Sequence, residues 1–170
     1  MAELTLYIAN KNYSSWSFRP WIAFTARGVP FREVLVPFDF PNGNPRIKEI
    51  SPSGKVPLLK HGDLFVWESL AIIEYAAELF PEAGLWPEDP AARAVARSVS
   101  AEMVAGFRAL RNACPMNIRR RKGAIPLQEG VAADVARIEE IWHERLARSG
   151  GPFLFGDFSA ADAMFAPVVN

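Results

Sequence analysis

Apolar and polar positions alternate over Leu4 to Ile8, and the β-prone residue types there predict a short first strand. A polar loop then leads into apolar residues at helical spacing, roughly Trp16 to Arg27, stopped by Gly28 with Pro30 beyond. "FREVLVPF" reads as a second strand around Arg32 to Val36, and "NPRIKEISPSG" as a polar segment with one helical turn near Arg46 to Ile50. "VPLLKHGDLFVWES" predicts a third and a fourth strand folded at "HGD", with His61 exposed in the turn. "ESLAIIEYAAELF" is an amphipathic helix that ends before Pro81.

The order is β-α-β, then a hairpin, then α. Two consecutive strands joined by a helix run parallel, and a hairpin runs antiparallel. The first part of the chain is therefore an α/β unit with a mixed four-stranded sheet, over residues 1–80. "FPEAGLWPEDP" changes the character of the chain and makes residues 81–90 a linker. Over residues 91–170 the strand signal is gone. Val95, Val99, Met103, Phe107 and Leu110 lie at helical spacing, in a helix that Pro115 bends or ends. Val131, Val135, Ile138, Trp142 and Leu146 form a second stripe, closed by Gly150 and Gly151. The second part is all-helical.

Composition narrows the function classes. The 19 basic and 19 acidic side chains cancel, so no global charge attracts nucleic acid or an anionic membrane. The basic cluster Arg119 to Lys122 reads as a solvated helix end. Cys114 is the only cysteine, which excludes a disulfide framework and a CxxC pair, and it reads as a small buried hydrophobe. The N-terminus lacks the basic region of a signal peptide, and no apolar run reaches membrane-spanning length. A reducing cytoplasm is the expected setting.

Candidate chemistry gathers at three places. Ser14, Ser15 and Ser17 crowd a helix start, where free N–H groups and the helix dipole favour an anion. Serine at that position is ordinarily a cap. Pro57 opens the third strand, where a proline suits an exposed edge or a cis bond and leaves the Val56 backbone to an extended ligand. Glu68 and Ser69 stand where the fourth strand meets its helix. A carboxylate beside free N–H groups holds an amino-acid head group by its ammonium and its carboxylate together.

The β-α-β-ββ-α half, "GKVPLL", the "ES" pair and the helical second half together resemble cytosolic glutathione transferases. "SSWSFRPWIAF" is similar to the zeta-type "SSC" serine motif, with Trp16 where that class has cysteine and Pro20 unusually early in the helix. "GDFSAAD" resembles the capping box of the family's C-terminal domain, with Ser159 as cap, Asp162 reaching back, and Phe158 as the preceding hydrophobe.

The resemblance implies a thioredoxin-like N-terminal domain and a helical C-terminal domain. It implies that Val56 pairs with the cysteinyl part of glutathione across Pro57, that Glu68 and Ser69 hold the γ-glutamyl head, and that Lys55 meets the glycyl carboxylate, with a basic residue of Arg46 to Lys48 as the alternative. Ser14 would donate to the sulfur, with Ser15 as understudy. A free thiol of pKa about 8.5 is only about 3% thiolate at neutral pH, and lowering that pKa by about two units takes roughly 2.7 kcal/mol. One hydrogen bond to a charged acceptor supplies about 1.5–3 kcal/mol. The chemistry thus asks for no metal, and for no cofactor beyond glutathione as co-substrate. The thiolate attacks a small electrophile, for which Met103, Phe107, Arg108, Arg111 and Met116 are pocket candidates.

Two rival readings follow from the same resemblance. One is a glutathione-dependent cis–trans isomerase of the maleylacetoacetate type, with Arg119 to Arg121 binding a dianion. The other is a non-catalytic transferase-like binding module. A glutaredoxin-like reductase is disfavoured by the absence of cysteine from the first loop. The resemblance also implies a homodimer. The chain stops just after a helix that is central in the family, so the sequence is expected to be a truncated transferase.

Overall fold

The computed structural model describes residues 3–38, 45–121, 123–124, 126 and 128–169. Asn44 of the polar segment, Lys122 of the basic cluster, Leu127 ahead of the last long helix, and the terminal Met1, Ala2 and Asn170 lie outside the described residues. The chain divides into two compact units, Met1–Leu85 and Trp86–Asn170.

In the first unit, alternation becomes a sheet. Strands β1 (Leu4–Ile8), β2 (Arg32–Leu35), β3 (Leu58–His61) and β4 (Leu64–Trp67) are ordered β2-β1-β3-β4. β1 and β2 are parallel, joined through helix α1 (Ser15–Arg27); β1–β3 and β3–β4 are antiparallel. Helices α2 (Pro45–Ile50) and α3 (Ser69–Leu79) complete the unit. Leu4, Leu6, Ile8, Leu58 and Leu59 are buried, as are Phe24 of α1 and Ile72 and Ile73 of α3. α1 stops where expected: Gly28 takes a left-handed conformation, φ 68°, with its N–H bonded to the Phe24 carbonyl. His61 departs from expectation. It ends β3 half-buried, and its Nδ1 lies 2.8 Å from the Tyr75 hydroxyl on α3.

Register decides what meets at one end of the sheet. Tyr7 lies opposite Leu58, and Leu58 lies opposite Trp67. The end of β1, the start of β3 and the end of β4 therefore share one row.

Pro20 sits inside α1, yet the helix runs through it. Proline has no N–H, so the carbonyl four residues earlier, that of Trp16, loses its helical donor. The Ser69 hydroxyl fills that vacancy, donating to the Trp16 carbonyl at 2.7 Å. One hydroxyl thus repairs the ladder and ties the start of α3 to the first turn of α1.

The second unit is helical. α4 (Pro90–Ala105) opens with Asp89 as cap, its carboxylate accepting from the Ala92 N–H at 2.7 Å. The helix ends before Phe107, short of the expected Leu110. Gly106 turns extended (φ −98°, ψ −166°) and Phe107 takes φ 57°, before α5 (Arg108–Ala113) begins. Burial of the Phe107 ring, 6.5 Å from that of Phe165, overrides continuation of the helix. Pro115 follows the end of α5. Cys114, expected inside, is exposed at that same helix end, because the short helix closes there and turns the residue outward.

α6 (Val131–Ser149) closes on Gly150 at φ 64°. It buries Val131, Ile138 and Ile141, while Leu146 is exposed. The buried face thus follows i, i+7 and i+10 rather than a stripe that runs on to Leu146. α7 (Ala160–Phe165) is buried and carries the expected capping box. Asp162 accepts the Ser159 N–H and the Ser159 hydroxyl, each at 2.8 Å. Its other oxygen accepts the Leu154 N–H at 2.9 Å. Phe158 packs edge-on against Phe153. Among the described residues, no helix is long and apolar enough to cross a membrane.

Candidate active site

The row Tyr7–Leu58–Trp67 gathers the three sequence features. Just beyond it lie the loop from Ala9 to Ser14, the Val56–Pro57 pair, and Glu68 with Ser69. Asn10 shapes the first of these. Its carbonyl accepts the N–H groups of Tyr13 and Ser14, at 3.1 and 2.9 Å, and its side-chain oxygen accepts that of Asn12 at 2.8 Å.

Ser14 stands at the cap position of α1, but its side chain makes no capping hydrogen bond. Its hydroxyl donates instead to the Ser17 Oγ at 2.9 Å, and Ser17 Oγ also accepts the Ala9 N–H at 3.1 Å. Ser14 is 8% exposed and Ser17 fully buried at 0%. Ser15 is the first helical residue and is half-buried. The Ser14 side chain thus does not cap the 13-residue helix, and the Ser15 N–H donates to the Tyr13 carbonyl at 3.1 Å.

The Val56–Pro57 bond is cis, as the sequence predicts. Both residues lie outside the strand ladder, which starts at Leu58. Lys55 is exposed, with its carbonyl accepting from the Ser51 hydroxyl at 2.8 Å; Arg46 and Lys48 are exposed on α2.

Glu68 is exposed and takes φ 69°, ψ 128°, a left-handed conformation that costs a non-glycine residue about 1–3 kcal/mol. It precedes α3 and does not cap it through its side chain. Ser69 is buried, its proton given to the Trp16 carbonyl. Its oxygen lone pairs and its backbone N–H, at the first position of an 11-residue helix, stay available to a ligand.

The N-terminal-domain family of glutathione S-transferases matches residues 13–79. A maleylacetoacetate isomerase from Rattus norvegicus is 30% identical over 161 residues, covering 92% of this chain and 73% of the rat protein. The chain belongs to the cytosolic glutathione transferase family. It is zeta-like: a probable maleylacetoacetate isomerase from Caenorhabditis elegans is 35% identical over 111 residues, 65% of this chain and 52% of that protein. A glutathione transferase homologue from Sulfitobacter, solved with bound glutathione, superposes with a TM-score of 0.72 at 28% identity, over all of this chain and 82% of that one.

Within this family member, the candidates on the helical unit do not share one setting. Met103, Phe107 and Met116 are buried. Arg111 caps α4, donating to the Met103 and Val104 carbonyls at 3.0 and 3.1 Å. Arg108 is exposed at the start of α5; Arg119 to Arg121 are exposed, but in a turn beyond α5 rather than at the helix end expected. Among the described residues, no group of three or more His, Cys, Asp or Glu side chains is placed to hold a metal ion.

Two residues of the site escaped the sequence reading. Ser17 was visible only as a third serine, and its hydroxyl partners emerge from the fold. Arg19 is 1% exposed, its guanidinium 4.2 Å from the centre of the Trp16 ring. The only signal for it was an arginine on an otherwise apolar helix face.

Proposed function

We propose that this chain binds glutathione along the Tyr7–Leu58–Trp67 end of its sheet and activates the thiol as thiolate for attack on a small electrophile. The observation that carries this reading is the Ser69–Trp16 hydrogen bond, because it joins the amino-acid-binding corner of α3 to the serine-bearing turn of α1. Family membership supports a glutathione-dependent enzyme of the transferase or isomerase type.

In this reading the Val56 backbone pairs with the cysteinyl part, just outside the strand ladder. Glu68 takes the γ-glutamyl ammonium, and the Ser69 N–H takes its carboxylate. Lys55 meets the glycyl end. The thiol proton leaves to solvent, and the Ser14 hydroxyl donates to the resulting anion, with Ser15 as the neighbouring alternative. The sulfur then forms a bond to carbon as the leaving group departs with its electron pair. Arg108 is the candidate for meeting an anionic electrophile, with Met103, Phe107, Arg111 and Met116 as the other pocket candidates. Assembly as a homodimer and a reducing, cytoplasmic setting belong to the same proposal.

The experiment is titration with glutathione while thiolate absorbance is followed at about 240 nm, since the thiolate is the reactive form. Saturable absorbance at neutral pH is expected. Binding without it identifies a non-catalytic module. A second reading, glutathione-dependent cis–trans isomerisation, is favoured by the names of the rat and worm relatives and by the exposed Arg119 to Arg121. Turnover of maleylacetone but not of an aryl halide selects it.

A further inference from the structure

We infer that Ser17 is the positioning residue for the Ser14 hydroxyl, and that the hydrogen bond between them reverses direction when the glutathione thiolate arrives. The inference rests on Ser14 being the thiolate donor.

A serine hydroxyl has one proton. In the structure Ser14 spends it on Ser17. Donation to sulfur therefore requires that this bond be broken or turned round. Merely breaking it would satisfy Ser14 but leave the proton of Ser17, a residue at 0% exposure, without an acceptor.

Turning it round strands nothing. Ser17 carries a proton of its own, and the 2.9 Å oxygen–oxygen separation suits donation in either sense. The two hydroxyl protons rotate and no heavy atom moves. Ser17 keeps accepting the Ala9 N–H throughout. The finished chain runs from the Ala9 N–H to Ser17, from the Ser17 O–H to Ser14, and from the Ser14 O–H to the thiolate. Each link polarises the next. The heavy-atom positions are thus set before the ligand binds. No covalent bond forms or breaks in the relay, and it needs no water.

Side chains of other chemistry fail at this place. Alanine leaves the buried Ala9 N–H without an acceptor. A carboxylate accepts but has no proton to return, so it would hold the Ser14 proton permanently.

A double-mutant cycle tests the relay on the full chain. The bound-thiol pKa, glutathione affinity and melting temperature are measured for wild type, Ser14→Ala, Ser17→Ala and the double variant. Ser17→Ala is expected to cut the thiolate fraction at neutral pH by about three- to tenfold. In the Ser14→Ala background it should cut nothing further, while its cost in melting temperature persists.

If Ser14→Ala shifts the thiol pKa and Ser17→Ala does not, Ser17 is only a structural bridge and the relay is wrong. If Ser14→Ala leaves the pKa unmoved, the donor assignment itself has failed. Should Ser17→Ala not fold, nuclear magnetic resonance of the wild type decides. The Ala9 amide proton is expected to move downfield with glutathione and to stay put with S-methylglutathione, which forms no thiolate. Equal shifts with both ligands would overturn the proposal.

Discussion

α1 and α7 begin alike and end up with different work. Each has a serine at the cap position, Ser14 and Ser159, and each serine donates to the side chain three residues on. In each, that acceptor also takes a backbone N–H from an earlier segment, Ala9 for Ser17 and Leu154 for Asp162. They differ in that acceptor, and in that Asp162 also takes the Ser159 N–H while the Ser14 N–H goes to the Asn10 carbonyl. Asp162 is a carboxylate, so the Ser159 proton has one place to go and the turn is fixed. Ser17 is a hydroxyl, so the Ser14 proton is on loan. A capping serine is therefore read from its partner at the third helical position, and not from itself.

The sharpest way to break this comparison is to remove the two serines in turn. Ser14→Ala should cut turnover by about 10- to 100-fold, the loss of one hydrogen bond to an anion, with glutathione affinity little changed. If Ser15→Ala shows that loss instead, the donor lies one residue on. Ser159→Ala should leave turnover per folded molecule alone.

Next in size is Asp162→Ala, which strips acceptors from the Ser159 N–H, the Ser159 hydroxyl and the Leu154 N–H. Denaturant unfolding should register a loss of about 2–3 kcal/mol. A loss no larger than an ordinary surface substitution would mean that the box does not hold α7.

Ser69→Ala should cost about 1–3 kcal/mol by removing the hydroxyl that donates to the Trp16 carbonyl. The same change should cost much less in a Pro20→Ala background, where the helix supplies its own donor. Equal costs in both backgrounds would remove Pro20 from the explanation. The smallest expected effect is that of Ser15→Ala, about a two- to threefold loss of turnover if Ser15 only assists.

Much of the frame was legible in residue order. Alternation over Leu4 to Ile8 and the "HGD" turn located strands, and the helix between β1 and β2 required them to be parallel. Ser159 and Asp162 announced their box because a cap signature is local. What stayed hidden depended on distant residues. Phe107 fits a helical stripe, and its burial against Phe165 is what breaks the helix there. Cys114 was assigned by residue type, whereas its exposure follows from where a short helix happens to end. The direction of a hydroxyl bond has no sequence signature, so Ser17 remained one serine among three. The contact between Ser69 and Trp16 spans 53 positions, and only the sheet register brings its ends together.

Pro20 and Ser69 also constrain mutational history. A proline in α1 without a hydroxyl at position 69 would lack the hydrogen bond that Ser69 gives the Trp16 carbonyl. A serine arriving first would have cost little. Once both were present, the serine could no longer drift while the proline remained. The pair is therefore expected to be epistatic: replacing Pro20 first and Ser69 second should pass through a more stable intermediate than the reverse order.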